Sequence, residues 1–475
     1  MAKFRFLTAG ALIISLMLWP VIMQAKKKNS ENLLGNQKTS VVNPDWVKDA
    51  VIYEVNLRQG TPERSLKGMQ LQLPRLKDLG VDILWLMPVH PISEKNRKGT
   101  LGSYYAVADY KKINPEFGTL DDFKEFVRTA HTLGMKVIID EVCNHSGGDN
   151  GWLQSNPDFY VRDKKGDLVS PYDWTDTYKL DYSNPSMREA MYDALTFWVK
   201  ETGIDGYRFD VAGEVPTDFW DGLRPRLEAI KPVFMLAEAS KPELTIHAFD
   251  ADYNWPMKDV FNAIAATGGA NSYAVSHGQK LPSLKASAIP QLIERQKKQY
   301  PQGAINMNMI TNHDLNSWEG TEFDRLGPAT GVFAVLSYTL PGMPMLYTGQ
   351  EVGFNHPFEF FETDSVQPDY TPNQFTAFYT MLNTLKHKNH ALDAGTEGGS
   401  FSLIDTSDEN LLAFTRQKEN QKITVIANLS GTSLPVEFTT PPAIDGMTDY
   451  FTGKEAVVPA VLQPWQYVVL TTPFD

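Results

Sequence analysis

The sequence predicts an α/β fold: a closed eight-stranded (β/α)8 barrel (TIM barrel), with an inserted loop-rich subdomain after strand 3 and a C-terminal antiparallel β domain. Three observations predict it. Short apolar runs alternate with helical patterns along most of the chain. Several of those runs are entered through a Gly that closes a helix-like stretch. Past about residue 390 the pattern changes to short alternating runs.

In order along the chain, residues 1–25 read as a signal peptide. Lys3 and Arg5 form a basic start, residues 6–23 are mostly apolar, and Ala25 is placed for cleavage. Lys26, Lys27 and Lys28 follow at once, which is untypical after a cleavage site. An uncleaved segment would be an anchor, since about 18 apolar residues nearly span a bilayer. Residues 26–45 are polar and read as a linker. The barrel then occupies 46–390. Its strands are expected at 51–55, 83–86, 137–140, 206–209, 233–237, 248–252, 305–310 and 345–347. Such nearly continuous apolar runs are those of strands buried on both faces, as in parallel sheets. Gly80, Gly134 and Gly203 stand just past helix ends, where a left-handed residue is needed.

One helix between the strands is well marked. Thr119 is its N-cap, Asp121 and Asp122 favour the dipole, and Phe123, Phe126, Val127 and Ala130 share a face. The stretch 66–79 contains Pro74, which must kink the helix or restart it. The connection 143–184 is long, rich in Gly, Asp, Trp and Pro, and has the length of a functional loop or small inserted subdomain. Residues 391–475 read as a C-terminal β-sandwich domain.

Composition narrows the function. The 475 residues are 42% hydrophobic and 21% charged, an ordinary globular balance. A net charge of −13 argues against nucleic-acid backbones and anionic lipid surfaces, and is compatible with a neutral substrate. No membrane partner is expected beyond an uncleaved N-terminal anchor. The single Cys143 excludes an intrachain disulfide.

Chemistry in β/α barrels sits at the C-terminal ends of the strands. Asp140 ends strand 3, and Asp210, Glu238 and Asp314 follow strands 4, 5 and 7. One such Asp alone is more often a loop cap. Four on one rim crowd like charges, which raises at least one pKa, as a general acid requires. Arg208 lies on the same side of its strand as Asp210 and keeps it ionised. His145 and His313 add donors suited to sugar hydroxyls. No His-Glu-x-x-His spacing or Cys pair argues for a catalytic metal. Paired carboxyls are the minimum machinery for glycoside hydrolysis.

The rim motifs resemble glycoside hydrolase family 13, the α-amylase family. The resemblance rests on Asp-Glu-Val-Cys-Asn-His at 140–145, Gly-Tyr-Arg-Phe-Asp at 206–210, the apolar run ending in Glu238, and Asn-His-Asp at 312–314. Flanking matches lie at 80–88, 102–110, 114–119 and 342–351. The resemblance implies that Asp210 is the nucleophile, Glu238 the general acid/base and Asp314 the transition-state stabiliser. It implies that Tyr105, His145, Arg208, His313 and Asp140 surround the cleaved sugar. It also implies a structural calcium (Ca2+) held by Asn144 and Asp181.

Two departures stand out. Val-Ala-Gly-Glu at 211–214 replaces a Lys-His pair that contacts leaving-side sugars, and Lys179 stands where an Asp is common near the metal. The expected function is retaining hydrolysis of α-1,4-linked glucans or malto-oligosaccharides by an exported, periplasmic or extracellular enzyme. A transglycosylase would carry the same carboxyls. A non-catalytic sugar-binding relative would usually have lost them.

Overall fold

A computed structural model describes residues 33–270 and 272–474 of the chain. The expected signal or anchor segment, 1–25, lies outside the described residues. Among those described, no helix is long and apolar enough to cross a membrane.

Eight parallel strands close into a barrel: β1 (Ile52–Val55), β2 (Ile83–Leu86), β3 (Lys136–Glu141), β4 (Gly206–Phe209), β5 (Phe234–Ala237), β6 (Ala251–Tyr253), β7 (Ile305–Asn308) and β8 (Met343–Tyr347). Closure is the pairing of β1 with β8, Ile52 opposite Met345. Side chains alternate as the pleat requires. Ile52, Ile83, Trp85, Ile138, Phe234, Ile305 and Met345 fill the barrel, while Tyr53, Leu84, Val137, Tyr207 and Met235 pack under the helices.

Two strands begin at least two residues away from where the sequence places them. The sixth begins three residues late, because Phe249 N–H is bonded to Leu244 O and the Ala248 carbonyl accepts from Arg224, which keeps both out of the ladder. The eighth begins two residues early, and includes Pro344 opposite Asn308 although proline has no N–H to donate.

Local signals act as chemistry dictates. Thr119 and Asp122 form a reciprocal capping box at the start of helix Leu120–Thr132. Pro74 splits its stretch into helices Leu66–Gln70 and Leu73–Leu79, the second closed by left-handed Gly80. The polar stretch read as a linker is bound to the barrel where it is described. Thr39 N–H meets Gln302 O and Ser40 N–H meets Ile246 O.

Between β3 and β4 the chain forms a small hairpin, His145–Gly147 against Thr177–Lys179, with one short helix, Gly151–Ser155. The C-terminal part is a five-stranded antiparallel sheet, with a two-stranded pair, Leu434–Pro435 and Val461–Leu462, beside it. Leu412, Phe414, Val425 and Val469 share the core of the barrel and its helices. Leu411, Ala413, Ile426 and Leu470 share a separate core with Leu434 and Leu462 of the pair.

The junction of β1 and β8 carries a buried ion pair. Glu351, just past β8, has no exposure and takes Arg75 Nη1 at 2.7 Å and the Tyr53 hydroxyl at 2.8 Å. Arg75 also lies 3.9 Å from the centre of the Tyr370 ring. Removing one partner of a buried pair strands the other charge, at a cost of about 3–5 kcal/mol. Arg75→Met is therefore expected to lower the urea midpoint markedly. An unchanged midpoint would show that Glu351 needs no partner.

Candidate active site

The strand register builds the site. β3 and β4 pair so that Asp140 sits opposite Arg208, and both side chains point inward with no exposure. Below Arg208, Gly206 leaves room: a Cβ there would lie 1.8 Å from Phe234 O. Arg208 Nη1 then reaches Asp140 Oδ1 at 2.7 Å and Asp210 Oδ1 at 3.3 Å. Its Nη2 meets Glu238 Oε2 at 2.9 Å, and Nε donates to the Tyr253 hydroxyl at 3.1 Å. The rings of Trp85, Tyr105 and Tyr253 stand around the guanidinium.

These contacts set the charges. Burial pushes Asp140 up to about 6, against the pull of Arg208 and His313. Trp85 Nε1 and the Tyr105 hydroxyl both donate to its Oδ2, at 3.3 and 3.1 Å. Burial and then the Glu238 charge raise the Asp210 carboxyl well above the ordinary range, while Arg208 opposes them. Among the described residues, Asp210 Oδ2 is buried without a hydrogen-bond partner. The next residue, Val211, is left-handed at φ 37°, a costly conformation for a β-branched side chain. Its N–H donates to Glu238 Oε2 at 2.8 Å. Glu238 Oε2 is thus held twice, and Oε1 has no partner among the described residues.

The two histidines differ in kind. Burial, then the Lys179 ammonium across the hairpin, lowers His145 to about 3. It is neutral, 4.0 Å from Asp210 Oδ2, and its ring lies 5.3 Å from that of Trp174. Burial also disfavours the His313 cation, but Asp314 and Glu54 outweigh it and lift His313 to about 9. Its Nδ1 is 2.5 Å from Glu54 Oε1, and its Nε2 is 2.8 Å from the Tyr105 hydroxyl and 3.4 Å from Asp314 Oδ2.

The structure therefore brings together Tyr105, Asp140, His145, Arg208, Asp210, Glu238, His313 and Asp314. It does not gather a cation site from the remaining two residues. Asn144 turns its side-chain nitrogen to His145 Nδ1 at 3.3 Å, and its carbonyl accepts from Leu180 N–H. Asp181 Oδ1 is taken by the hydroxyl and N–H of Ser183. Lys179, across the hairpin, adds a positive charge beside His145, the neighbour of Asn144. No group of three acidic, His or Cys side chains that would hold a metal occurs among the described residues.

Glu54, Trp85 and Tyr253 belong to the site and were not anticipated. The signal for Glu54 was there: a carboxylate inside the apolar run of β1 is costly without a partner. Near Glu238, Tyr172, Glu214 and Lys179 form a charged cluster. Lys179 Nζ is 4.0 Å from Glu214 Oε2. Burial, then Glu214 and Glu238, raise the Tyr172 hydroxyl to about 12.

Comparison with known proteins agrees with this geometry. Residues 51–180 and 171–377 match the family model of the alpha-amylase catalytic domain. Alpha-amylase 3 of Dictyoglomus thermophilum is 25% identical over 462 residues, covering 82% of this chain and 86% of that protein. The solved structure of an alpha-amylase from Lactobacillus plantarum superposes with a TM-score of 0.78 at 28% identity, covering 90% of this chain and 100% of the other. A maltogenic alpha-amylase from Thermotoga neapolitana gives 0.75 at 26% identity, covering 90% and 99%.

The charge assignments have a direct test. Across roughly pH 5 to 8, ¹⁵N spectra should show His145 as a neutral ring and His313 as an imidazolium. A titration of either ring inside that window would contradict its placement.

Proposed function

The chain belongs to the α-amylase family, and on that basis we propose that it is a retaining hydrolase of α-1,4-linked glucans and malto-oligosaccharides, with Asp210, Glu238 and Asp314 as its working carboxyls. The observation that carries this reading is the single buried guanidinium of Arg208, which binds Asp210 and Glu238 together. Two carboxyls on one guanidinium favour the short separation, about 5–5.5 Å, of retaining enzymes over the roughly 6.5–9.5 Å of inverting ones.

Each side chain has a step. Arg208 occupies Asp210 Oδ1 and leaves Oδ2 free to attack the anomeric carbon. Glu238, pinned at Oε2, gives the proton on Oε1 to the departing glycosidic oxygen. The C–O bond to the leaving sugar breaks as the Asp210–carbon bond forms. Water then enters from the leaving side, gives a proton back to Glu238, and displaces Asp210. Asp314 faces the positive charge that develops on the ring, neutral His145 donates to its hydroxyls, and charged His313 holds the Tyr105 ring beside it. Lys179, Glu214 and Tyr172 supply the leaving-side contacts that the family motif places at other residues. Transfer to a sugar instead of water would use the same carboxyls, and no contact favours it.

Two inversions leave the anomer unchanged. Proton NMR of the first products from maltoheptaose is expected to show α-anomer before mutarotation. β-Anomer appearing first would overturn the mechanism.

Export is proposed on the basic start and apolar run of residues 1–25. Protein recovered outside the cytoplasm should begin near Lys26, or keep its N-terminus and sediment with membranes. A soluble cytoplasmic chain that starts at Met1 would defeat the proposal.

A further inference from the structure

The scheme above gives Glu54 no task, yet the molecule carries a buried carboxylate there. Glu54 has no exposure and stands inside β1, one residue past Tyr53 and on the inward face with Ile52. Taking a carboxylate out of water costs several kcal/mol unless its oxygens are satisfied. Both are satisfied by one residue. Oε1 is 2.5 Å from His313 Nδ1, and Oε2 accepts the main-chain N–H of His313 at 3.3 Å. Ring and backbone of His313 are clamped together, so the imidazole has little rotational freedom left.

The partners constrain the polarity of the hydrogen bonds. Tyr105 has one hydroxyl proton, and it is directed to Asp140 Oδ2 at 3.1 Å. The same oxygen must then accept from His313 Nε2 at 2.8 Å. Nδ1 faces a carboxylate, so it too must carry a proton. An imidazole between two acceptors is a two-proton donor.

We propose that Glu54 is a positioning residue for the reaction: it holds His313 as a fixed, doubly protonated imidazolium beside Asp314, with its second N–H on the Tyr105 hydroxyl. The inference rests on the glycosidase reading of the site. A charged donor gives a stronger hydrogen bond than a neutral one, so a fixed imidazolium orients the Tyr105 ring and the Asp314 carboxyl that stand beside its Nε2. Without Glu54 the ring loses the anion behind it and is free to turn. The charged or titratable groups that face His313 are Glu54 on β1, Tyr105 after β2, Asp140 on β3, Arg208 on β4 and the adjoining Asp314. Glu54 is the one among them that touches both ring Nδ1 and the backbone of His313.

Glu54→Gln keeps the shape and removes the charge. Turnover is expected to fall at least about 10-fold at alkaline pH with KM little changed. The alkaline limb of the kcat profile should move down by at least about one pH unit, because a neighbouring opposite charge shifts a pKa by 1–3 units. If Glu54 acts through His313, adding Glu54→Gln to His313→Asn should cost nothing further. Additive losses, or an alkaline limb that does not move, would overturn the proposal. Should Glu54→Gln fail to fold, the wild-type enzyme still decides: a His313 Nδ1 without a proton at neutral pH in ¹⁵N spectra sinks it. That spectrum needs no substrate. Failure of the hydrolase reading, seen as β-anomer released first, is thus distinguishable from failure of this one.

Discussion

A guanidinium with no contact with water has to be neutralised where it stands. Arg208 is neutralised by Asp140, its cross-strand neighbour, and by Asp210 and Glu238 at the ends of two adjacent strands. The dependence runs both ways. Three carboxyls crowded in a buried mouth repel one another, and each costs desolvation energy that an adjacent cation offsets. Strand register, the missing side chain at Gly206 and the ring of Trp85 all serve to seat this one group. A slip of β4 by one residue would turn Arg208 to the helices and leave the carboxyls unpaired.

Around that cation the site is divided by charge. Two histidines on the same rim hold their protons differently: burial dominates at His145, while carboxylates outweigh it at His313. Lys179 stands behind His145, whereas Glu54 and Asp314 flank His313. The lysine adds to the burial that keeps His145 neutral beside Asp210.

Much of this was legible from residue order. The apolar runs of 83–86 and 206–209 give both strand limits, because inward and outward faces are equally dry and no alternation blurs the ends. Asp140, Asp210, Glu238 and Asp314 were legible because strand ends fix position without any knowledge of loops. What was not legible depends on contacts between distant segments. Glu54 reads as one odd carboxylate in a strand until His313 is seen beside it. The sixth strand was misplaced because Ala248 and Phe249 look like strand residues, and only the contacts with Arg224 and Leu244 show their carbonyl and N–H engaged elsewhere. The resemblance to the family carried Asn144 and Asp181 along as metal ligands.

The pairing of Glu54 with His313 spans 259 positions of the chain. It also requires β1 to have met β8, since Ile52 pairs with Met345. During synthesis the first strand leaves the ribosome long before the last, and contacts of such high sequence separation form late and slowly. A partly made barrel holds Asp210 and Glu238 without the residues opposite them. The nascent polypeptide is therefore catalytically silent until its final barrel strand emerges, and the carboxyls of the mouth become an enzyme only when the ring is complete.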